Sequence, residues 1–264
     1  MPLAIDLFCG LGGWTDGLLA EGYDVIGFDI EQHAYGDMAY PGKLVIQDVC
    51  TLHGSQFKTA TLIVASPPCQ EYSYMAMPWS LAKAKAKAIR EDTTGAKLAA
   101  LNRLFNECFR IQKEASFAAG RHIPLLVENV RGAEPWVGRA RWNFGSFYLW
   151  GDVPALMPIT LNATKVPGFR FDGSGQPCQT ASVVEAVKVL SASGRRTDKG
   201  KGARFTSRDC GTEGRKGGGD WFGSGENASL QRRHGSKSSG RKMAAAMIAK
   251  IPLPLSRHIG ATFR

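Results

Sequence analysis

Cys69 is a candidate nucleophile because of the residues that surround it. It lies in Ser66–Gln70 (SPPCQ), directly after the apolar run Thr61–Ala65. The two prolines fix their own φ and bias each preceding residue toward extended geometry. A strand must therefore end here, with the thiol held at its carboxyl end. A thiol held in this way can attack an electrophilic carbon. The competing interpretation is a buried structural cysteine, which is a common fate of a free thiol.

Glu128 is a candidate proton donor about sixty residues further along the chain. It comes directly after the apolar run Ile123–Val127 and precedes Asn129 and Val130. A carboxyl group in a cleft of low dielectric has a raised pKa, which suits it to deliver a proton near neutral pH. The competing interpretation is a strand-end glutamate that caps the next helix.

The N-terminal segment predicts a strand, a glycine turn and a helix. The strand is Leu3–Phe8, the turn is Cys9–Gly13, and a helical run extends from Trp14 to Glu21. Glycines in such a turn allow the backbone to approach a ligand closely at the start of a helix. This spacing is tighter than the full dinucleotide fingerprint, so the glycines alone are weak evidence for a ligand.

Two acidic residues strengthen the prediction of a ligand crevice. Asp29 ends a second predicted strand, Asp24–Asp29, about twenty residues after the glycines, where the dinucleotide fingerprint has a carboxylate that binds ribose. Asp48 lies near the end of a third predicted strand, Lys43–Val49. In an open parallel sheet such residues line the crevice at the carboxyl ends of the strands. Alternatively, either acid could be a turn or cap residue.

These motifs together resemble those of the DNA cytosine-5 methyltransferases, and the chain is similar to a compact phage or bacterial member. Asp6–Gly13 resembles the cofactor motif, Pro67–Gln70 the nucleophile motif and Glu128–Val130 the glutamate motif, in the family's order and spacing. Gly138–Arg141 resembles the paired-arginine motif, although the usual glutamine and third basic residue are missing. The resemblance covers about residues 3 to 150, with a weaker similarity in Arg241–Ile251, which predicts a helix broken by two prolines.

The resemblance implies a fold and a division of the chain. The implied fold is α/β: a Rossmann-like S-adenosylmethionine-dependent methyltransferase sheet with helices on both faces, plus a small basic target-recognition region. Residues 1–151 would form the catalytic and cofactor-binding domain, and residues 152–240 the short target-recognition region. Residues 241–264 would form a C-terminal helix that returns to the catalytic domain.

The resemblance also implies roles for particular residues. Cys69 would add to carbon 6 of a flipped cytosine, Glu128 would protonate ring nitrogen 3, and Arg139 and Arg141 would contact a phosphate and the base. The methyl donor would be S-adenosylmethionine, held by Phe8, Gly10, Leu11, Gly12, Asp29, Ile30, Asp48, Val49 and Pro68. Double-stranded DNA would be contacted by Gln70, Ser73, Lys83, Lys85, Lys87, Arg232 and Arg233. No metal is expected.

Charge is divided unevenly along the chain. Residues 1–164 carry 14 Lys and Arg against 16 Asp and Glu, whereas residues 165–264 carry 19 against 7. The basic C-terminal part therefore predicts contact with a polyanion. The twelve glycines in residues 191–242 also fit a flexible basic linker. Lys83, Lys85 and Lys87 could equally be the solvated surface of a helix.

Composition bounds the remaining function classes. No apolar stretch is long enough to span a bilayer, and six scattered cysteines favour reduced thiols over a disulfide framework. The cysteines fit a cytoplasmic protein, and the resemblance implies a bacterial or phage-infected host cell. We also expect a monomer. Tyr72, Tyr74 and Trp79 are aromatic residues that could pack against a flipped base.

Three alternative functions remain open. A tRNA cytosine-5 methyltransferase would share the catalytic motifs, and only the basic, Arg-rich segment and compact layout favour DNA. A methyltransferase acting on an exocyclic nitrogen would need an aromatic residue where Cys69 stands. A catalytically silent DNA-binding relative would not need Cys69, Glu128 and Arg141 together. The recognition sequence and a role such as restriction–modification are not determined.

Overall fold

The computed structural model describes residues 1–35, 38–73, 79–157, 246 and 249–264, with only the backbone of Trp79. The strands are β1 Leu3–Leu7, β2 Asp24–Asp29, β3 Ala34–Tyr35, β4 Met38–Ala39, β5 Lys43–Ile46, β6 Leu62–Ala65, β7 Leu125–Asn129, β8 Trp142–Phe144 and β9 Phe147–Gly151. The helices are α1 Gly13–Ala20, α2 Trp79–Arg90, α3 Ala96–Ala119, α4 Glu134–Val137 and α5 Leu253–Phe263. Short 3-10 turns occupy Val49–Thr51, Gly54–Phe57 and Arg131–Ala133.

Seven strands form one mostly parallel sheet. Their order is β5-β2-β1-β6-β7-β9-β8, with antiparallel pairing only at β7–β9 and β9–β8. The strand order reverses between β1 and β6, since the chain runs outward from β1 to β5 and then returns to β6. A crevice forms at such a reversal, outside the carboxyl ends of the strands. The loops after β1, β2, β6 and β7 therefore meet there.

The parallel strands β1, β2, β6 and β7 contribute alternate side chains to two separate cores. On β6, Ile63 and Ala65 belong to one apolar cluster, while Leu62 and Val64 belong to the other. The first cluster contains buried residues of α3, and the second contains buried residues of α1 and α5. This alternation places helices on both faces of the sheet, because successive side chains of a strand point in opposite directions. The predicted α/β fold class is confirmed.

The C-terminal helix α5 packs along α1. Glycines in α1 allow this close approach, because a Cβ on Gly13 would lie 2.3 Å from the backbone nitrogen of Ile251 and one on Gly17 would lie 2.2 Å from Ser256 Oγ. The Tyr23 hydroxyl donates a hydrogen bond to the carbonyl of Gly260 at 3.0 Å. Lys250 Nζ lies 2.7 Å from a carboxylate oxygen of Asp16.

Two predicted segments differ from the structure by more than two residues at an end. The helix α5 begins at Leu253, with Pro252 as its N-cap, so the prolines start this helix. Most of the helix expected at 241–251 lies outside the described residues. The third strand ends at Ile46 and not at Val49, because the Asp48 side chain instead caps a 3-10 turn by accepting a hydrogen bond from Cys50 N at 2.9 Å.

The target-recognition region predicted at 152–240 lies almost entirely outside the described residues. Met1–Thr160 and Lys250–Arg264 group into one compact unit. The boundaries predicted after residues 151 and 240 remain predictions. Among the described helices, we find none with the length and apolar character required to cross a membrane.

Candidate active site

The turn that carries Cys69 begins directly after β6. We call residues 66–73 the nucleophile turn. Its Pro67 is buried and its Pro68 is exposed, and the thiol of Cys69 is partly exposed at the crevice. The carbonyl of Cys69 accepts hydrogen bonds from the backbone nitrogens of Tyr72 at 3.0 Å and Ser73 at 2.9 Å. These two bonds close the turn and fix the backbone around the thiol.

Glu128 lies on the neighbouring strand at the same level as this turn. The register pairs Ala65 of β6 with Val127 of β7, so Ser66 and Glu128 come next as neighbours at the carboxyl ends of the two strands. The Ser66 side chain makes a hydrogen bond to the Glu128 carboxyl group. Ser66 Oγ also accepts a hydrogen bond from the Trp14 indole nitrogen at 3.0 Å, which orients the hydroxyl toward Glu128.

Burial dominates the protonation of both groups. The Glu128 side chain lies in an almost fully buried residue, with 9% exposure, and this desolvation raises its pKa from 4.5 to about 8. The pKa of the Cys69 thiol is raised to about 11, first by burial and then by the negative charge of Glu128. Near neutral pH the carboxyl therefore holds a proton, and the thiol is also protonated.

Asn129 fastens the nucleophile turn to the strand that carries Glu128. Its side chain is buried and donates a hydrogen bond from Nδ2 to the Pro67 carbonyl at 2.9 Å. Its Oδ1 accepts a hydrogen bond from Val130 N at 2.8 Å. No role was predicted from the sequence for Asn129, Ser66 or Trp14. The signal for Asn129 was a second polar residue, next to Glu128, at the end of a strand that is otherwise apolar.

The glycine turn after β1 forms the other side of the crevice. Phe8, Gly10 and Gly12 have positive φ values of 57°, 50° and 71°. A Cβ on Gly12 would lie 2.5 Å from Pro41 Cδ, whereas one on Gly10 would meet no atom within 4 Å. The backbone at Gly10 therefore borders open space into which a ligand could approach.

Asp29 is held at this side by backbone hydrogen bonds. Its carboxylate accepts one from Gly10 N at 2.9 Å and one from Ile30 N at 2.8 Å. The next side chain, Ile30, is 69% exposed, and Ile46 on the neighbouring strand is 53% exposed. A carboxylate beside exposed apolar surface and an open glycine turn fits a nucleoside, whose ribose is polar and whose base is apolar on its faces.

Two of the predicted cofactor residues have side chains in the core. Leu11 is 5% exposed and Val49 is fully buried, so only their backbones could contact a ligand in the crevice. Asp48 is exposed and caps the turn that contains Val49. Phe8 is partly exposed, and Pro68 is exposed next to Cys69. The structure therefore brings the predicted cofactor residues to one edge of the sheet, by backbone or side chain.

A buried acid on β1 accepts a hydrogen bond from the helix α1, which follows the glycine turn. Asp6 is 1% exposed, and its Oδ2 accepts a hydrogen bond from Thr15 Oγ1 at 2.7 Å. Within the part of the chain that the structure describes, its Oδ1 has no hydrogen-bond partner. Burial raises the pKa of this carboxyl to about 8. Asp6 begins the predicted cofactor motif, although no individual role was predicted for it.

The two predicted arginines lie on the loop after α4. Arg139 and Arg141 are exposed, and Arg141 N donates a hydrogen bond to Leu149 O at 2.9 Å. Leu149 is paired with Glu128 across β7 and β9, so the backbone of Arg141 lies two strands away from Glu128. At about 4.8 Å per strand this separation is on the order of 10 Å. An extended arginine side chain could cross most of that distance.

The predicted DNA contacts are divided between described and undescribed residues. Gln70 is exposed and Ser73 is partly exposed, both on the nucleophile turn. Lys83, Lys85 and Lys87 lie on α2, whose Ala82, Ala86 and Ile89 are buried. Lys83 and Lys87 are exposed, whereas Lys85 forms an ion pair with Glu71 and Lys87 is near Glu91. Arg232 and Arg233 lie outside the described residues.

Tyr72 is not available to stack on a flipped base. Its residue is 3% exposed, and its hydroxyl donates a hydrogen bond to Asn102 Oδ1 at 3.0 Å. The ring belongs to the core cluster beneath the sheet. Tyr74 and the side chain of Trp79 lie outside the described residues.

The parallel sheet has a glycine turn at one wall of the crevice and a thiol with a carboxyl group at the other. This arrangement is that of a Rossmann-like enzyme with a nucleophilic side chain. Residues 3–133 match the family model of C-5 cytosine-specific DNA methylases. Residues 3–133 therefore belong to this family, and they include Cys69 and Glu128.

Solved structures of methyltransferases resemble the chain to a limited extent. An E. coli prophage protein described as a DNA modification methyltransferase is 26% identical, with 50% of this chain and 33% of that chain covered and a TM-score of 0.34. The methyltransferase EhMeth of Entamoeba histolytica is 11% identical, with 100% and 98% covered and a TM-score of 0.43. Dnmt2 methyltransferase of S. pombe is 13% identical, with 98% and 97% covered and a TM-score of 0.42.

The chain thus spans about one third of the length of the prophage protein that it matches. No curated protein sequence matches the chain.

Proposed function

We propose that the protein methylates carbon 5 of cytosine in double-stranded DNA. The observation that carries this proposal is the pairing of Cys69 with Glu128 at the ends of β6 and β7. The thiol is partly open to the crevice, and the charged group that acts on its pKa is Glu128, an acid that holds its proton at neutral pH. A pyrimidine ring attacked at carbon 6 needs this combination, because a nucleophile adds while a ring nitrogen takes up a proton.

The residues of this chain would act in a defined order. A cytosine flipped out of the duplex would enter the crevice with ring nitrogen 3 facing Glu128. After the Cys69 thiol gives up its proton to solvent, the thiolate would form a bond to carbon 6 while Glu128 gives its proton to nitrogen 3, so that carbon 5 gains electron density. Once carbon 5 has taken the methyl group, water would remove the proton on carbon 5, the sulfur would leave carbon 6 as the thiolate, and nitrogen 3 would return its proton to Glu128, which restores the ring.

The state of Glu128 also governs the formation of the thiolate. An ionised Glu128 opposes a negative charge on Cys69, which is one of the two causes of the raised thiol pKa. A protonated Glu128 removes that opposition, so the acid form favours the nucleophile as well as the protonation step. Arg141 would place its guanidinium near the exocyclic oxygen and Arg139 near a phosphate.

S-adenosylmethionine would supply an electrophilic methyl group when bound. The residues that fit it are the open backbone at Gly10, the carboxylate of Asp29 and the exposed side chain of Ile30. Asp29 would accept hydrogen bonds from ribose hydroxyls, and Ile30 would pack on the base. Phe8, Gly12 and Pro68 would shape the rest of the crevice.

The choice of DNA rests on charge and on the family. The basic residues 165–264 are suited to phosphate contacts, and Arg232 and Arg233 are proposed among them. Lys83, Lys85, Lys87, Gln70 and Ser73 would contribute from the described part, and phosphates would replace Glu71 and Glu91 as the partners of Lys85 and Lys87. We further propose that the protein acts as a monomer in the cytoplasm.

Trapping on a modified base tests this proposal. Purified full-length protein would be incubated with S-adenosylmethionine and random-sequence duplex DNA that contains 5-fluorocytosine, beside a tRNA pool with the same substitution. We expect a covalent complex with DNA that survives denaturation, with Cys69 as the attached residue, and none with Cys69→Ser. Trapping on tRNA alone would replace DNA as the substrate, and no trapping on either would remove the methyltransferase proposal. Bisulfite sequencing of unmodified DNA after reaction would then give the target sequence.

A further inference from the structure

A buried hydrogen-bond chain joins the nucleophile turn to the segment that comes after Glu128. The Tyr72 hydroxyl donates to Asn102 Oδ1 at 3.0 Å and lies 3.3 Å from the Leu101 carbonyl. Asn102 Nδ2 donates to the Trp136 carbonyl at 2.8 Å. Asn102 is on α3 and is 7% exposed. We call Tyr72, Asn102 and the Trp136 carbonyl the α3 latch.

The latch contacts the turn that carries Cys69 and the helix α4 that follows the Glu128 strand. Tyr72 is three residues after Cys69, and its backbone nitrogen donates to the Cys69 carbonyl. Trp136 lies on α4, which comes after the Glu128 strand and one 3-10 turn. The amide of Asn102 therefore holds the two segments against one rigid helix, since α3 has 24 residues and buries Phe105, Cys108 and Ile111 in the core.

A buried amide in this position is chemically specific. An asparagine can accept at Oδ1 and donate at Nδ2 at the same time, whereas an aspartate or leucine cannot do both. Burial makes each bond directional, because a buried polar group without a partner is unfavourable. The Cys69–Glu128 arrangement has a second fastening, the Asn129 bond to Pro67, but that bond lies before Cys69 in the chain.

We propose that Tyr72 and Asn102 are positioning residues that hold Cys69 at its working depth and distance from Glu128. This inference rests on the proposed function, because it concerns the same nucleophile. Without the latch, the turn after Cys69 keeps its backbone bonds but loses its anchor on α3. The thiol would then be more hydrated and further from the carboxyl group.

The pH dependence of thiol alkylation detects this change without cofactor or DNA. Two causes raise the pKa of Cys69 to about 11, namely burial and the charge of Glu128, and no other charged group is among them. The neighbouring charges on the turn and α2, Glu71 and Lys85, are paired with each other. Loosening the turn weakens both causes, so the pKa of Cys69 should fall toward its ordinary value of 9.0.

The experiment compares Tyr72→Phe with a matched control, Tyr23→Phe. Each substitution removes one buried tyrosine hydroxyl that donates at 3.0 Å, to Asn102 in the first case and to the Gly260 carbonyl in the second. Alkylation by iodoacetamide would be measured from pH 7 to 11 by peptide mass spectrometry, with the buried Cys9 and Cys108 as internal references. Thermal unfolding would be measured on the same samples.

We expect both variants to unfold a few degrees lower than the parent protein. Only Tyr72→Phe should lower the alkylation pKa of Cys69, by about one unit, and lower kcat by about 10-fold to 100-fold with the KM for the cofactor unchanged. An alkylation profile of Tyr72→Phe that matches that of Tyr23→Phe would overturn the proposal and leave the hydroxyl a stability contact.

A double variant removes both side chains of the latch. In Tyr72→Phe/Asn102→Leu the unpaired amide oxygen is gone, but the Trp136 carbonyl loses its donor, so the unfolding temperature should stay below that of the parent protein. The lowered pKa of Cys69 should not return. Recovery of the parent alkylation profile together with stability would overturn the latch. If no methyl transfer is found in the parent protein, the proposed function fails, whereas the alkylation comparison still decides whether the latch positions the thiol.

Discussion

The two walls of the crevice surround their carboxyl groups, Asp29 and Glu128, with different hydrogen-bond donors. At the wall formed by β1 and β2, the Asp29 carboxylate accepts hydrogen bonds from the backbone nitrogens of Gly10 and Ile30. At the wall formed by β6 and β7, Glu128 is buried with the Ser66 hydroxyl as a hydrogen-bonding partner, and its pKa is raised to about 8. A carboxylate that binds a polar ligand needs a stable negative charge, whereas one that delivers a proton needs the neutral form near pH 7.

The same sheet produces both environments because its strands lead into different turns. After β1 the chain turns through glycines with positive φ, which directs backbone nitrogens toward Asp29. After β6 the chain passes through two prolines, which have no backbone N–H to offer to Glu128. Backbone donors therefore distinguish the binding wall from the catalytic wall.

Cys69→Ser should have the largest effect on the catalytic wall. We expect methyl transfer to fall by about 10³-fold or more, because a hydroxyl is a far weaker nucleophile than a thiolate. DNA binding, measured by fluorescence anisotropy, should stay within about twofold. Substantial turnover in this variant would remove Cys69 from its proposed role.

Glu128→Gln should slow methyl transfer by about 10²-fold to 10⁴-fold, since an amide cannot deliver the proton. The same change should lower the pKa of Cys69 to a value between 9.0 and about 11, because the opposing charge is removed while burial remains. Alkylation of Cys69 near pH 9 would therefore be faster as methyl transfer becomes slower. If the variant alkylates and transfers methyl groups at the same rates as the parent protein, Glu128 and Cys69 are not coupled.

Asp29→Ala should act on the binding wall alone. Loss of the carboxylate should weaken cofactor affinity by about 10-fold to 100-fold, because two ribose hydrogen bonds to a charged group are lost. Isothermal titration with S-adenosylmethionine would measure this change, with Asp24→Ala on the same strand as control. A shifted alkylation pKa of Cys69 in Asp29→Ala would show that the two walls are not independent.

Apart from catalysis and binding, Glu128 should make the folding stability depend on pH. The pKa of Glu128 is raised from 4.5 to about 8 in the folded chain, so between these values the folded state binds a proton that the unfolded state has released. The contribution of Glu128 to the free energy of unfolding should therefore be fully present below pH 4.5. It should be lost as the pH rises through 8, by on the order of 5 kcal/mol at most. Asp6 contributes in the same direction.

Thermal unfolding at a series of pH values would test this sign. Glu128→Gln should flatten the decline between pH 5 and 8, because the amide does not titrate. A decline of the same slope in the variant would assign the effect to Asp6 or to other groups.

The parallel strands were predictable because a run of apolar residues is a local property of the sequence. The second strand has the predicted bounds Asp24–Asp29, and β1 and β6 differ from prediction by one residue at one end. The third strand was predicted too long, because the apolar Val49 continues the pattern but enters the core from a 3-10 turn. A pattern of burial cannot distinguish a strand end from a turn that packs inward.

The amino-acid sequence determined which residues could do chemistry and in what order they occur, since the glycine turn, Cys69 and Glu128 are each marked by the element before them. Only the tertiary structure decided the environment of each group. It placed Ser66 between Trp14 and Glu128, joined Tyr72 to Asn102 across thirty residues of chain, and turned Val49 into the core. The physical reason is that protonation depends on desolvation and on neighbouring charges, which come from residues distant in sequence and adjacent only after folding.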